Sequence, residues 1–415
     1  MFTLFDPQLQ KYPIKVWLEN ENQLEEECLK QAKNLSNLPF IHKWVALMPD
    51  AHSGYGMPIG GVIATEQVII PKAVGVDIGC GMEFVQTDIP VEILTRTETP
   101  NGKLAQAILG DILRNIPTGF EHHSKKQTCS SVVRFKESLT QYQFNEIPTM
   151  LLQQLDDAQY QIGTLGSGNH FIELQSDDHG NLGIMVHSGS RNLGFKICNY
   201  YNNKAKELNS QEKSSVLPEW DLAYLYTESE TGKDYIRWMD LALDFARENR
   251  RMMLERVENI VQNLVRKYTD IDKIELSEPV SCHHNYASLE KHYGKTVWVH
   301  RKGAIRAAKN EQGIVPGAMG TYSYIIEGKG NPESFESCSH GAGRCMSRTD
   351  AKEKFSVQET VNDLKSLGVF LGKAKKSDVG EESRFAYKEI DFVIANETDL
   401  IEIRKRLKTV AVVKG

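Results

Sequence analysis

Residues that can bind a metal or attack phosphorus occur in short glycine-rich segments spread over most of the 415-residue chain. The segments read VGVDIGCG with Asp77 and Cys80, GSGNHFIE with His170, VHSGSR with His187, CHHN with His284 and SHGAGR with His340. Thiolate, imidazole and carboxylate together suit Zn²⁺, Mn²⁺, Fe²⁺ or Co²⁺ better than Mg²⁺ or Ca²⁺. We therefore predict one metal-dependent site assembled from distant parts of the sequence.

Each of these motifs also has a purely structural interpretation. Asp77 and Cys80, three residues apart, could be a turn carboxylate beside a small buried thiol. A lone histidine is more often a hydrogen-bonded structural residue than a metal ligand. Three histidines in similar settings, together with the Asp-x-x-Cys spacing, favour the metal site over coincidence.

The segment around His340 combines a nucleophile with backbone that can bind an anion. Gly341, Ala342 and Gly343 offer N–H groups with little bulk, and Arg344 adds a guanidinium fork that fits phosphate oxygens. Imidazole forms covalent intermediates, so His340 could attack phosphorus. The structural alternative is a sharp turn before a helix.

The residues on either side of His170 could contact the same ligand. Asn169 could bind a phosphate oxygen, and Glu173 could reach a ligand from near the end of a strand. Either could equally be a surface polar group. The common phosphate-binding signatures GxxxxGK[ST] and GxGxxG after a strand are missing from the chain.

Composition is that of an ordinary globular enzyme, with 40% hydrophobic and 25% charged residues. Its length alone suggests two or three domains, but candidate ligands spaced from Asp77 to His340 favour a single catalytic domain over 1–415. A net charge of −6 does not indicate a nucleic-acid binder. Basic stretches at 121–127, 298–310 and 404–408 could line a phosphate-binding groove or be ordinary solvated faces.

Cysteine usage and hydropathy predict a cytoplasmic protein that does not enter a membrane. The seven cysteines are odd in number and irregularly spaced, no CxxC pair occurs, and the N-terminus does not resemble a signal peptide. No window approaches 18 uninterrupted apolar residues. We expect reduced thiols and no membrane span.

The elements that must position these residues are short strands ending in glycine turns, with helices between them. Strand ends that deliver polar residues through such turns are a common way to build a site. The loop 119–131 is polar and is a candidate mobile element. Apolar spacing predicts helices at 21–35, 102–116, 148–160, 234–268, 355–368 and 397–408, and a final strand at VAVVKG.

The ordered motifs also resemble a known family. MPDAHSGYGMPIGG, GVDIGCG, GTLGSGNHFIE, HSGSR, CHHN, RKGA, HGAGR and the terminal VVKG occur in this order in RtcB-type RNA ligases, and the resemblance runs from about Trp44 to Gly415. It implies an α+β fold, a single large domain with mixed and antiparallel sheets around a central metal site and flanking helices. It also implies joining of RNA 3′-phosphate or 2′,3′-cyclic phosphate ends to 5′-hydroxyl ends with GTP and two Mn²⁺.

The resemblance assigns roles to individual residues. His340 matches the histidine that carries GMP. The implied metal ligands are Asp77, Cys80, His170, His187 and His284. The implied nucleotide contacts are Asn169, Glu173, Asn285, Pro316, Gly317, Ala318, Met319, Gly341, Ala342, Gly343, Arg344, Tyr387 and Lys414.

The chain departs from the family pattern in two places. Ala318 stands where many relatives have serine, and loss of one hydroxyl contact would weaken GTP binding by roughly 1 kcal/mol. The first motif, MPDAHSGYG, also varies within the family.

The partners implied are RNA, GTP and an archease-type activator, with no membrane. The alternatives are a metal-dependent phosphodiesterase that processes RNA ends, a 3′-phosphate capping enzyme, and a non-catalytic nucleotide- or RNA-binding paralogue.

Overall fold

The computed structural model describes residues 1–139, 147–373 and 379–415 and has an α+β fold, as predicted. The described strands are β1 Phe2–Leu4, β2 Ile14–Val16, β3 Ile41–His52, β4 Ile59–Thr65, β5 Val68–Ile69, β6 Gly81–Pro90, β7 Glu98–Thr99, β8 Gly102–Lys103, β9 Phe171–Ser176, β10 Asn181–Ser188, β11 Leu225–Tyr226, β12 Val280–His283, β13 Asn285–His292, β14 Lys295–Lys302, β15 Ala304–Arg306, β16 Gln312–Val315, β17 Tyr322–Gly328, β18 Ser337–Ser339, β19 Phe370–Gly372 and β20 Ile401–Lys414. The helices in the same ranges are α1 Glu26–Ser36, α2 Pro71–Val74, α3 Ile93–Arg96, α4 Leu104–Asn115, α5 Ser130–Leu139, α6 Thr149–Gln161, α7 Arg191–Gln211, α8 Glu230–Tyr268, α9 Arg348–Lys354, α10 Val357–Ser366 and α11 Ile390–Ala395.

Two large sheets form the centre of the fold. One has six strands in the order β1-β2-β3-β4-β14-β13, and only its β2–β3 pair is parallel. The other has eight strands, seven of them in the order β12-β6-β10-β9-β20-β17-β16, with β19 pairing parallel to β20. Its end strands β12 and β16 approach each other, so this sheet is nearly a closed barrel.

Helix α8 is the longest element, and it confirms the helix predicted at 234–268. It begins at Glu230, where the Ser229 side chain accepts a hydrogen bond from the amide of Gly232 at 3.0 Å and so caps the helix. Its buried face, which includes Trp238, Phe245 and Met253, packs against β6, β10, α4 and α7. The helix therefore supports the strands whose ends carry the candidate metal ligands.

The other predicted helices were mostly right. Helices α4, α6 and α10 match the predictions at 102–116, 148–160 and 355–368. The prediction at 21–35 corresponds to α1 and a preceding 3₁₀ turn at Glu21–Gln23. The 21-residue helix α7 was not predicted.

The helix predicted at 397–408 was wrong. These residues belong largely to β20, a 14-residue strand that pairs with β17 and then with β9 and β19. Leu400, Ile403 and Leu407 have helical spacing, but Ile403 is 49% exposed, so they do not share one buried face. Pairing with neighbouring strands overrides the local pattern, because tertiary context decides between helix and strand for short apolar segments.

Within the described ranges, no helix is both long enough and apolar enough to cross a membrane.

Candidate active site

Four neighbouring strands of the eight-stranded sheet end at one edge and bring the candidate metal ligands together. Strand β10 is antiparallel to β6 and β9, and His187 lies opposite Met82 and Phe171 in the two registers. Cys80 immediately precedes β6, and His170 immediately precedes β9. His284 follows β12 on the far side of β6, and its amide donates to the Cys80 carbonyl at 2.8 Å. The antiparallel order therefore explains why residues distant in sequence converge.

Three of these side chains form a cluster that could hold a metal ion. Sγ of Cys80 lies 3.4 Å from Nε2 of His170 and 3.3 Å from Nε2 of His187, and the three atoms lie within 4.8 Å of one another. Oδ2 of Asp77 is 3.1 Å from Nε2 of His170. The carbonyl of Leu165, which can only accept, lies 2.9 Å from Nδ1 of His170, so Nδ1 carries a proton and Nε2 is the nitrogen that faces Asp77 and Cys80.

His284 extends this cluster towards His340. Its ring centroid lies 5.1 Å from that of His187 and 4.7 Å from that of His340. His284 is buried, and its Nδ1 has no hydrogen-bond partner among the described residues. A buried, unpartnered imidazole nitrogen is costly unless it binds something, which fits a metal ligand.

Burial sets the protonation of the cluster. It holds the pKa of His187 and of His284 well below the usual range, with neighbouring histidine charges adding to the effect, so both rings are neutral and able to ligate at pH 7. Burial, followed by the Asp77 charge, raises the pKa of the Cys80 thiol. A cation at this position would offset that cost and favour the thiolate.

Asp50 orients His340 and was not singled out from the sequence. It lies in β3 and is fully buried, and its Oδ2 is 2.6 Å from Nδ1 of His340 and 3.1 Å from the His340 amide nitrogen. Because a carboxylate only accepts, Nδ1 of His340 carries the proton and Nε2 keeps its lone pair. The only sequence signal was the position of Asp50 within the motif MPDAH.

Asn249 and Arg250, which were not predicted from the sequence, hold in place the loops that carry the candidate metal ligands. In α8, Asn249 accepts from the amides of Gly163 and Thr164 at 2.7 and 3.2 Å. It donates to the Thr164 carbonyl, to Ser188 Oγ and to the Gly189 carbonyl at 3.1 to 3.2 Å. These are the loops next to His170 and His187.

Arg250 performs the corresponding role for the Cys80 loop. Its guanidinium is fully buried and donates to the carbonyls of Gly79 and Ser188 at 2.8 and 3.1 Å. Asn249 and Arg250 interrupt the apolar stripe of α8 at buried positions. Polar residues on a stripe that otherwise packs against the core are the signal that could have identified both.

A cavity of about 210 Å³ adjoins the cluster, and most of the predicted nucleotide contacts line it. His187 and His340 contribute to its wall. The predicted contacts in the wall are Asn169, Glu173, Pro316, Gly317, Ala318, Met319, Gly341, Ala342, Gly343, Arg344, Tyr387 and Lys414. Ala318 is buried there and contributes a methyl group to the wall.

Asn285 is the predicted contact that lies outside the cavity wall. Its side-chain amide donates to the Asp77 carbonyl at 3.1 Å, and its side-chain oxygen accepts from the Gly303 amide at 2.9 Å. Its backbone carbonyl accepts from the Gly79 amide at 2.8 Å. Asn285 therefore braces the loop that carries Asp77 and Cys80.

A buried carboxylate organises the polar end of the cavity. Glu382 accepts from the Tyr387 hydroxyl at 2.6 Å and from Lys414 Nζ at 2.9 Å, and Arg344 approaches it at 3.4 Å. Burial alone would raise the pKa of Glu382, but the Lys414 charge, the Arg348 charge and these hydrogen bonds lower it to about 2. Glu382 was not identified from the sequence.

The remaining polar groups in the wall are also engaged. Arg344, predicted as a phosphate fork, also donates to the carbonyls of Met346 and Glu381, so in this structure it braces the wall. Glu173 accepts from Gln175 at 2.6 Å and from Thr409 at 3.1 Å. Burial raises the pKa of Glu173 to about 7.

Two of the four Lys and Arg residues in the basic stretch 298–310, Arg301 and Lys302, are buried and do not contribute to an exposed groove. Arg301 is fully buried, and its guanidinium binds both carboxylate oxygens of Glu290 at 2.5 and 3.0 Å. Lys302 is also buried and donates to the carbonyls of Tyr55 and Met57. These cations balance internal polar groups, which is how buried charges are tolerated.

A buried cysteine–histidine cluster beside an oriented histidine and a polar cavity defines a candidate enzyme site in which candidate metal ligands adjoin a candidate nucleophile. The family model described as tRNA-splicing ligase RtcB matches residues 31–415. The chain is 39% identical over 408 residues to the RNA-splicing ligase RtcB of Escherichia coli, covering 97% of each chain. It is 30% identical over 468 residues to the tRNA-splicing ligase RtcB of Nanoarchaeum equitans, covering 97% of this chain and 95% of that one. The chain belongs to the RtcB family and, as a member, is an enzyme of the RNA ligase class.

Proposed function

We propose that this enzyme joins RNA 3′-phosphate or 2′,3′-cyclic phosphate ends to 5′-hydroxyl ends, using GTP and two Mn²⁺, through a guanylylated His340. The observation that carries the proposal is the contact between Asp50 and Nδ1 of His340. It leaves Nε2 as the nucleophilic nitrogen of a residue that lies between the cavity and the histidines of the cluster. We propose that the enzyme acts in RNA repair, in tRNA splicing, which the name of one relative states, or in both. We also propose that residues 1–415 form a single catalytic domain.

The candidate ligands fit manganese. Sulfur, imidazole nitrogen and carboxylate oxygen are ligands for divalent transition metals, and His284 offers an unpartnered nitrogen. We propose that Asp77, Cys80, His170, His187 and His284 hold the ions. When bound, Mn²⁺ neutralises phosphate charge and orients the reacting oxygens.

In the first step, Nε2 of His340 forms a bond to the α-phosphorus of GTP, and the bond to the β-phosphate oxygen breaks to release pyrophosphate. Asp50 keeps the proton on Nδ1 and stabilises the positive charge that develops on the ring. The backbone at 341–343 lies in the cavity wall beside His340, where its small residues let phosphate oxygens approach closely.

In the second step, an oxygen of the RNA 3′-phosphate attacks the same phosphorus and the phosphorus–nitrogen bond to His340 breaks. A cyclic phosphate is first opened by water to the 3′-phosphate. In the third step, the 5′-hydroxyl oxygen attacks the RNA phosphorus, GMP leaves, and the hydroxyl proton passes to solvent. Forming the phosphoanhydride is necessary because a simple phosphate monoester has a poor leaving group.

The polar end of the cavity offers groups that suit guanine. Lys414 presents a donor, Glu382 and Glu173 present acceptors, and Asn169 and Tyr387 lie close by. A purine such as guanine offers a carbonyl acceptor and ring and amino donors, so this mixed set of groups can recognise it by hydrogen bonding. Ala318 removes one hydroxyl from the wall, and we expect a modest cost in GTP affinity.

The seven cysteines are free thiols, which suits a reducing compartment, and we propose a cytoplasmic location.

A ligation assay with defined ends tests the proposal. One RNA carries a 3′-phosphate and another a 5′-hydroxyl, and GTP and Mn²⁺ are omitted in turn or GTP is replaced by ATP. We expect joining only when all components are present. If a cyclic phosphate is opened but the RNAs are not joined, the enzyme is an end-processing phosphodiesterase. If a guanylylated 3′ end accumulates, it is a capping enzyme. If RNA or nucleotide binds and nothing reacts, the protein is a non-catalytic paralogue. Repeating the assay with an added archease-type activator shows whether multiple turnovers need one.

A further inference from the structure

Four histidine rings form a row across the site. The ring centroids of His170 and His187 are 5.3 Å apart, those of His187 and His284 5.1 Å, and those of His284 and His340 4.7 Å. The row runs from the candidate metal cluster to the proposed nucleophile. Both RNA ends must reach it, because the bond to be made joins one end to the other.

An exposed aromatic ring stands next to the His170 end of the row. Phe120 is 95% exposed, and the backbone just before it is fixed. The Gly119 amide donates to the Gly166 carbonyl at 2.7 Å, and the Pro117 carbonyl accepts from the Leu165 amide at 2.9 Å. Leu165 is the residue whose carbonyl orients His170. Phe120 therefore follows directly on backbone that is bonded to the segment orienting His170, and its ring lies in solvent.

A second exposed aromatic ring stands next to the His340 end. Tyr55 is 73% exposed, and its carbonyl accepts from Nζ of the buried Lys302 at 2.6 Å. Lys302 precedes Gly303, where a Cβ would lie only 3.1 Å from Cε1 of His340. The loop that carries Tyr55 joins His52 to Ile59, and both of these residues line the cavity.

Packing does not account for either ring. Phe120 and Tyr55 are the most exposed of the large hydrophobic side chains among the described residues, yet the backbone at Tyr55 and the backbone immediately before Phe120 are tied down by hydrogen bonds. A large aromatic ring held in water contributes nothing to the core. Rigid exposed aromatics are typical of surfaces on which unpaired bases stack.

The charges beside the two rings suit a polyanion. Nζ of Lys72 lies 5.7 Å from the centre of the Tyr55 ring. On the other side, Nη2 of Arg191 donates to the Gly119 carbonyl at 2.9 Å. The segment after Phe120 carries Lys125 and Lys126 against the single acid Glu121, and Lys126 is 3.5 Å from Asp156.

We propose that Phe120 and Tyr55 are stacking platforms for single-stranded RNA, each holding a base of a different one of the two ends to be joined. The inference rests on the proposed function, because it takes RNA as the substrate. Every base has a face that can stack, so the platforms tolerate sequence variation. They position the ends over the histidine row and take no part in the chemistry.

Binding of two oligonucleotides tests the proposal. One has a 3′-phosphate and a blocked 5′ end, the other has a 5′-hydroxyl and a plain 3′-hydroxyl, and each carries 2-aminopurine next to the reactive end. The variants are Phe120→Ala and Tyr55→Ala, with Phe120→Trp and Tyr55→Trp as conservative replacements. Phe5→Ala is the matched control, because Phe5 is an exposed ring, 51% accessible, near the N-terminus. Affinity is measured by fluorescence anisotropy, and stacking by quenching of 2-aminopurine.

We expect each alanine variant to bind one oligonucleotide about 5- to 100-fold more weakly and to lose its quenching, while binding of the other changes little. The tryptophan variants should retain both. In ligation, the KM for one RNA should rise while kcat stays near the wild-type value. Labelling of the protein by GTP in the absence of RNA should be unchanged, because neither ring lines the cavity.

The proposal is overturned if Phe120→Ala and Tyr55→Ala bind both oligonucleotides as tightly as Phe5→Ala, or if the tryptophan variants are as weak as the alanine variants. These measurements need no GTP. A wild-type enzyme that binds RNA through these rings but is never labelled by GTP contradicts the proposed function alone. A wild-type enzyme that is labelled and ligates, with alanine variants indistinguishable from it, contradicts the stacking platforms alone.

Discussion

Replacing Asn249 by alanine should loosen the loops that carry the candidate metal ligands while leaving the rest of the fold in place. The side chain makes five hydrogen bonds to the segments around Gly163 and Ser188. Truncation leaves the amides of Gly163 and Thr164 buried without their acceptor, at about 1–3 kcal/mol for each group. Allowing for partial relaxation, we expect these loops to open more easily by roughly 2–4 kcal/mol.

Hydrogen–deuterium exchange measures this opening locally. A change of 2–4 kcal/mol corresponds to about 30- to 1000-fold faster exchange at the Gly163 and Thr164 amides. Amides of β17, in the same sheet but away from these loops, should exchange at their wild-type rates and serve as an internal reference. Metal content measured by mass spectrometry should fall with the loosened loops.

The matched control is Asn202→Ala. Asn202 lies in α7 and is also buried, but its Oδ1 has no hydrogen-bond partner among the described residues. Its replacement should leave exchange at Gly163 and Thr164 unchanged. Asn249 does not hold these loops if its alanine variant exchanges at those amides like the wild type, or if both variants accelerate exchange there equally.

Three further predictions concern the site. Asp50→Ala should slow labelling of His340 by GTP at least about 10-fold, because nothing then fixes the ring proton on Nδ1, and an unchanged initial rate would exclude this role. With its pKa held near 2 instead of 4.5, Glu382 should stabilise the fold by ~3 kcal/mol above pH 4.5, a contribution lost as the pH falls towards 2. Glu382→Gln should therefore flatten the acid side of a melting-temperature profile, and an unaltered profile would contradict the assignment. Cys80→Ser should lower the metal content of the protein, measured by mass spectrometry. Cys198→Ser is the control, because Cys198 is a buried thiol in the core around α7, and its replacement should leave the metal content unchanged. Equal metal content in the two variants would show that Cys80 is not a ligand.

The strand-end character of the site could be predicted because glycine turns after apolar runs are local features. Cys80, His170 and His284 each lie immediately beside a strand, as their motifs indicated. The strand order that brings them together could not be predicted from periodicity, because it depends on which distant strands pair. The segment 397–408 shows the same limit, since only its pairing with β17 and β9 makes it a strand.

The supporting residues were harder to predict than the ligands. Asp50, Glu382 and Asn249 act through hydrogen bonds to residues far away in sequence. The residues next to each of them do not show which distant group it binds. Arg344 and Asn285 are predicted nucleotide contacts, and the structure shows that their side chains also bond to protein groups. A residue's type shows which bonds it can make, and only the fold shows which of its partners are already present.

The most direct test of the central claim is covalent labelling of His340. The protein is incubated with α-³²P-GTP and Mn²⁺ without RNA, and the label is mapped by peptide mass spectrometry. We expect one acid-labile, base-stable GMP on His340 in the wild type and none on the His340→Ala variant. Absence of label on the wild type, or label that persists in the variant, would contradict it.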